Sequence, residues 1–343
     1  MITPSCSPRW LAAGLVATFL TVSNGSARAA DDNPFLGRWA LTIPGGGAGW
    51  LGVTSDGGYY DASILWGGGS VVPVASVTIA NDTLYVTRIR DVKRKAAGGK
   101  PARTQQFTDL ITAHVTGDTL DLTLITARDN GDGFNEENFS GKRISPVPPA
   151  PDLSKVKFGP AVPLFDGKSL DGWRLTDAQA VNGWSVQDGI LVNHPDQPAT
   201  GPHKSYGNLR TEREFEDFNL TLEVNVPKGG NSGVYLRGIY ETQVVDSYGK
   251  ALDPHNMGAI YSRITPLVAA EKPAGEWQTM DITLVDRHAT VILNGQKIID
   301  NHPLLGCTGG ALWSDELRPG PIYLQGDHTG SSYRNIVLRP VVK

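Results

Sequence analysis

Apolar residues in this chain recur at every second position, in runs too short for helices. Leu220, Leu222, Val224 and Val226 alternate with Asn219, Thr221, Glu223 and Asn225, a period that a strand satisfies and a helix does not. Asn81-Asp82-Thr83-Leu84-Tyr85-Val86-Thr87 and Gly117-Asp118-Thr119-Leu120-Asp121-Leu122-Thr123 echo each other as a turn followed by an alternating strand. Forty glycines punctuate such runs, and long helical patterns are scarce. The expectation is an all-β protein of short strands and turns. At 343 residues the chain is long enough for two cores.

Punctuation divides the chain. Arg9 precedes the short apolar run Trp10–Val22, and Ala27-Arg28-Ala29 offers a small-x-small cleavage site. Residues 1–29 are therefore expected to be a signal peptide cut after Ala29, against the alternative of a retained anchor. The mature protein would be periplasmic or secreted, with no membrane span. Pro146-Val147-Pro148-Pro149-Ala150-Pro151 marks a stiff Pro-rich linker over 146–161. It separates an accessory β domain, 34–145, from a second domain, 162–343. The net charge of −4 is spread along the chain, and no basic run carries interleaved aromatics, so nucleic acid is not an expected partner. Removing Cys6 with the signal leaves Cys307 alone, without a disulfide partner.

The first β region opens with Gly37-Arg38-Trp39 and reads as a small antiparallel β-barrel or sandwich. That opening is similar to lipocalin and avidin barrels. Arg90–Lys100 is expected to be a long exposed loop. Asp129-Asn130-Gly131-Asp132-Gly133 departs from the spacing of a calcium loop and reads as a hairpin turn.

The second region holds ten or more short strands, which argues a two-sheet jelly-roll sandwich. Met280–Asp300 is expected to give two strands, around turns at Asp286–His288 and Asn294-Gly295. The most informative stretch is Asn231–Asp246. Val234, Leu236, Tyr240, Thr242 and Val244 would face one way; Tyr235, Arg237, Glu241 and Gln243 the other. Pairing around residues 238–240 would set Arg237 opposite Glu241 and Tyr235 opposite Gln243. A plain solvent face with a cross-strand ion pair is the competing reading. Pro321–Asp327 repeats the pattern, with Tyr323, Gln325 and Asp327 on one face.

Leu164–Trp173, Asn231-Ser232-Gly233 with Arg237, and Glu241-Thr242-Gln243-Val244-Val245-Asp246 together form a recognisable set. Gly275-Glu276-Trp277, Leu293-Asn294-Gly295, Leu324-Gln325-Gly326-Asp327-His328 and Tyr333-Arg334-Asn335-Ile336 extend it. In this order they make residues 162–343 resemble the 3-keto-disaccharide hydrolase domain family, related in fold to concanavalin-like lectins and glucanases. Thr242 departs from the aromatic that often follows the Glu in that family. It falls on the apolar side of the alternation, so the departure concerns packing. The first domain lies outside the resemblance.

The resemblance implies cleavage of glycosides oxidised to a ketone at C3. Such a ketone acidifies the C2 proton; its removal gives an enolate, the C1 leaving group departs by β-elimination, and water adds. The chemistry needs a base at C2, an electrophile at the ketone oxygen and an acid at the leaving oxygen; a divalent metal ion could serve as the electrophile. Glu241 is the expected base, Arg237 its orienting partner or enolate binder, and His328 the acid. Asn231, Tyr235, Gln243, Asp246, Gln325 and Asp327 are expected to meet sugar hydroxyls. Asp246 and His328 are the candidate metal ligands. The partner is then an oxidised oligosaccharide or glycoside. A non-catalytic, lectin-like carbohydrate-binding module is the alternative, since the fold alone does not decide function; an adhesion role is a third.

Overall fold

The computed structural model describes residues 33–198, 202 and 204–342. The expected signal segment lies outside the described residues. Those described form strands, turns and loops without an α-helix.

The first nine strands are β1 (Gly37–Thr42), β2 (Ala48–Asp56), β3 (Tyr59–Trp66), β4 (Val72–Pro73), β5 (Ser76–Ala80), β6 (Thr83–Arg94), β7 (Arg103–Thr116), β8 (Thr119–Ala127) and β9 (Phe134–Ile144). They form one antiparallel sheet in the order β4-β3-β2-β1-β9-β8-β7-β6-β5. Its first and last strands pair, Arg38 opposite Ile144 and Leu41 opposite Gly141. The sheet therefore curls towards a barrel whose two edges, β4 and β5, follow one another in the chain. Trp39, Leu41, Leu51, Val53, Ile64, Leu84, Val86, Ile111 and Leu122 fill its interior. The echoed turns behave as expected: Asn81 and Asp82 take positive φ and launch β6. One expectation is corrected. Arg90–Arg94 is not loop but continues β6, paired to Arg103–Phe107. Long polar side chains alternate there on a strand exposed on both faces, and Arg90 is held at 2.6 Å from Asp129.

The remaining strands begin with β10 (Val162–Pro163), β11 (Trp173–Leu175), β12 (Trp184–Gln187), β13 (Ile190–Asn193), β14 (Leu209–Thr211) and β15 (Phe218–Asn225). They continue with β16 (Asn231–Leu236), β17 (Tyr240–Val245), β18 (Gln278–Val285), β19 (His288–Leu293), β20 (Gln296–Pro303), β21 (Tyr323–Leu324) and β22 (Ser331–Pro340). They make two sheets. The larger runs β12-β13-β22-β15-β18-β19-β20 with β10 beside β22; the smaller runs β11-β14-β21-β16-β17. Residues 278–303 supply three strands rather than two, because each turn reverses the chain. Asp286 and Arg287, then Asn294 and Gly295, all have positive φ, which suits two-residue hairpins.

Between the sheets lies one apolar core. Leu220, Leu222, Val224, Ile282, Val291 and Ile336 meet Trp173, Leu209, Val234, Leu236, Tyr240, Val244 and Leu324 there. This is the two-layer jelly-roll sandwich. The same core takes in Ala48, Trp50, Leu65 and Ile144 from the first sheet. From Pro34 onward the chain packs as one compact unit. The segment 304–320 lies at the junction: Trp50 Nε1 donates to the Cys307 carbonyl at 3.0 Å. Glu316, fully buried, pairs with Arg38 at 3.0 Å and Arg287 at 3.5 Å. Arg287 also donates to the carbonyls of Ser145 and Pro146, anchoring the start of the proline run.

Candidate active site

The hairpin of β16 and β17 pairs Tyr235 with Glu241 and Gly233 with Gln243. This corrects the expected register by two residues. Arg237 and Gly238 both have positive φ, at 54° and 68°, so Arg237 belongs to a three-residue connection and not to the strand. Its side chain leaves the polar face and donates to the main-chain carbonyls of Glu316 and Arg318. The expected Arg237–Glu241 pairing is therefore replaced by a structural role for Arg237, bracing the 304–320 segment.

Without Arg237, the face still carries a constellation. Tyr235, Glu241, Gln243, Asn231, Tyr323, Gln325, Asp327 and His328 line one cavity of about 270 Å³. β21 lies directly beside β16, Val234 opposite Leu324 and Tyr235 opposite Tyr323, so the second polar run shares a sheet face with the first. Tyr235 and Tyr323 stack with centroids 4.0 Å apart and planes 10° from parallel. Asn208 Nδ2 donates to the Tyr323 hydroxyl at 3.1 Å. Asn231 Oδ1 and Gln325 Oε1 are buried with no hydrogen-bond partner among the described residues, a cost that a donating ligand hydroxyl would relieve.

Glu241 lies at the floor, 3% exposed. Gly233 makes room for it: a Cβ there would stand 2.3 Å from Glu241 Oε1. Burial pushes the carboxyl up to about 8, against the opposing effects of the Tyr235 hydrogen bond and the His328 charge. The Tyr235 hydroxyl lies 2.9 Å from Glu241 Oε2 and 2.7 Å from the Gly309 carbonyl. It has one proton to give. With Glu241 ionised it can donate to the carboxylate; with Glu241 protonated it can accept from the acid and donate to Gly309.

Asp327 and His328 sit at the rim, each 43% exposed in its side chain, with Oδ1 and Nδ1 3.1 Å apart. The Asp327 hydrogen bond raises the imidazole above its ordinary value despite partial burial. Burial pulls Asp327 up, but the hydrogen bond and charge of His328 together leave it lowered. The site thus holds a buried carboxyl that resists ionisation and, nearer solvent, an imidazole that favours its cation.

Asp246 does not join this group. It lines an adjoining chamber of about 570 Å³ with Asp253 and His255, connected through Asn231, Gln243 and Tyr261, which border both. Its Oδ2 accepts from the Gly229 amide at 2.9 Å. The two candidate metal ligands, Asp246 and His328, therefore border different chambers. No group of three or more His, Cys, Asp or Glu side chains among the described residues is placed to hold a metal. Cys307 is buried, and burial raises its thiol far above the reactive range. Arg334 joins Glu223 through Nε at 2.7 Å, across β22 and β15 and away from the cavity.

Several lining residues escaped the sequence reading. Tyr323 was visible in the alternation with Gln325 and Asp327. Asn208, Tyr261, Gly309 and Gly310 come from loops distant in sequence and carry no local pattern. Gly68 and Gly69 come from the first sheet.

The 3-keto-alpha-glucoside-1,2-lyase-like domain family matches residues 160–339, just over half of the chain. A curated 3-keto-disaccharide hydrolase of Bacteroides thetaiotaomicron is 25% identical over 169 residues. The match covers 41% of this chain and 58% of that protein, so the chain spans little more than half of that relative's length. A crystal structure of a candidate glycosyl hydrolase from Parabacteroides distasonis is 30% identical, covering 58% of this chain and 94% of its own, with a TM-score of 0.44. Another from the same organism is 26% identical, covering 53% and 100%, with a TM-score of 0.40. Through residues 160–339, which contain the whole hairpin of Tyr235 and Glu241, this chain belongs to the 3-keto-alpha-glucoside-1,2-lyase-like domain family.

Proposed function

We propose that the protein cleaves glycosides whose sugar carries a ketone at C3, releasing the aglycon and the keto sugar. The observation that carries this reading is Glu241: a carboxyl on the floor of a polar cavity, held near neutrality in its titration and touched by a tyrosine hydroxyl. A base works best when its pKa lies near the working pH, and a lectin needs no such group.

In the proposed sequence, the Glu241 carboxylate takes the proton from C2. The C2–H electrons pass into the C2–C3 bond and the ketone oxygen becomes an enolate. As the enolate collapses, the C1–oxygen bond breaks and His328 gives its proton to the departing oxygen. The product is an enone. Water then adds at C1, giving one proton back to His328, while the proton held by Glu241 returns to C2, so one water is consumed and the protein ends as it began. Asn231 and Gln325 hold hydroxyl donors through their free carbonyl oxygens. We further propose export of the protein, with the mature chain beginning at Ala30; its N-terminal residue, read on protein recovered outside the cytoplasm, tests this.

The test of function compares a 3-keto-glucoside with its unoxidised parent, each with and without a chelator. Consumption of the keto compound well above the buffer rate supports the reading, and any chelator loss reports a metal requirement. Binding of both sugars without consumption of either would leave a carbohydrate-binding module.

A further inference from the structure

The glycine turn joining β3 to β4, Gly67-Gly68-Gly69-Ser70, belongs to the first sheet, yet it reaches the cavity of Glu241. Gly68 and Gly69 line that cavity with Gly309 and Gly310. Four contacts hold the turn against the sandwich. The Gly310 amide donates to the Gly67 carbonyl at 3.3 Å, and the Val71 amide to Ser262 Oγ at 2.8 Å. Ser70 Oγ lies 2.9 Å from His255 Nε2. Gly309 packs so closely that a Cβ on it would stand 2.1 Å from the Gly69 carbonyl oxygen. Two glycine backbones meet there because no side chain fits.

Among the described residues, neither Gly68 nor Gly69 has a main-chain hydrogen-bond partner. The N–H and C=O groups of Gly68 are free to meet a ligand, while those of Gly69 abut the Gly309 backbone. The chamber they border is small, about 270 Å³, at the lower end of ligand cavities. The adjoining chamber, about 570 Å³, opens beyond Gln243 and Tyr261. The turn therefore walls the smaller chamber through Gly68 and Gly69 and, through Ser70 beside His255, reaches the edge of the larger one, which offers space for a leaving group.

We propose that the Gly67–Ser70 turn is a specificity-determining wall of the active site, supplied by the first domain. It closes the chamber against the keto-sugar ring, so the oxidised sugar must be a terminal ring with no substituent on the side facing Gly68. Substrates with the keto ring inside a longer chain are rejected. The first domain thus completes the site and does not merely accompany it. This rests on the proposed cleavage of 3-keto-glycosides.

Gly68 is suited to a test. Its φ is not positive, and a Cβ added there meets nothing within 4 Å, so a side chain enters open space without backbone strain. Gly68→Trp and Gly68→Ala are compared with the full-length wild type. Readouts are kcat/KM on a keto-disaccharide, calorimetric affinity for that sugar, and melting temperature. The expected result is a fall of at least a hundredfold in kcat/KM, and a matching loss of affinity, for Gly68→Trp. Gly68→Ala should fall less than tenfold, and both should melt with the wild type. A trisaccharide with its keto ring internal should be a poor substrate for the wild type. Wild-type kcat/KM and affinity in Gly68→Trp would overturn the wall while leaving the proposed cleavage standing. Equal use of internal and terminal keto rings would overturn it too. A wild type that binds the keto sugar without cleaving it overturns the cleavage alone, and the affinities still decide the wall. A wild type that does neither overturns both.

Discussion

β15 and the β16–β17 hairpin read alike in sequence, as apolar residues alternating with polar ones, yet they end in different surroundings. On β15, Phe218, Leu220, Leu222 and Val224 are buried while Asn219, Thr221, Glu223 and Asn225 are half-exposed. That is the usual outcome for a sheet with one face on a core and one towards water. On β16 and β17 nearly every residue is buried, the polar ones included. One face packs into the sandwich; the other is roofed by the 304–320 segment, Tyr261 and the Gly67–Ser70 turn. Burial of the polar face is what sets the two glutamates apart. Glu223, half-exposed and bound by Asn335 and Arg334, has its carboxyl lowered despite some burial, whereas Glu241 is pushed up to about 8.

The sharpest way to break this comparison is to remove the two carboxyls in turn. Glu241→Gln should lower kcat on a 3-keto-glucoside by about a thousandfold while calorimetry still detects sugar binding. The same variant carries a stability signature. The folded carboxyl titrates above its ordinary 4.5, so its contribution is full below that pH and is lost as pH climbs through about 8. Glutamine does not ionise. Glu241→Gln should therefore gain on the wild type by about 1.4 kcal/mol per pH unit across that window, read from denaturant unfolding at pH 5, 7 and 8. A stability difference that does not change with pH would mean that Glu241 is solvated.

Gly233→Ala tests whether the carboxyl must sit where it does. The added methyl claims the space of Glu241 Oε1, and kcat should fall about a hundredfold with little change in melting temperature. His328→Asn should cost about tenfold to a hundredfold on an alkyl glycoside and much less on one with an acidic phenol as leaving group, because only the former needs a proton. Equal losses on both would remove His328 as the acid. Smallest of all, Glu223→Gln should leave kcat/KM unchanged and cost less than about 1 kcal/mol, since its ion pair with Arg334 is partly exposed.

Much of this was legible in the sequence. Period-two alternation, Asp-Gly and Asn-Gly turns and the lack of helical patterns announced an all-β chain, and the family set located the hairpin of Glu241. The polar faces of 231–246 and 321–327 were visible as candidates. Their burial was not, because the roof comes from residues far away in the chain. Alternation alone sets the register two residues off, because positive φ at Arg237 depends on the three-residue connection, which alternation does not reveal. At Arg90–Arg94 the charge and nearby glycine suggest solvent, and a strand exposed on both faces has the same pattern as a loop. Gly68 and Gly69 could not be found locally, since a glycine that bounds a cavity and one that only turns the chain share the same letter.

The most direct measurement is kcat/KM for a 3-keto-glucoside between pH 4 and 9.5, on the wild-type protein. With an acidic phenol as leaving group, so that no proton is needed from His328, a base buried as Glu241 is should give an ascending limb centred near pH 8. An ascending limb near 4.5, the ordinary value for a glutamate, would contradict the claim that burial of the polar face tunes the base.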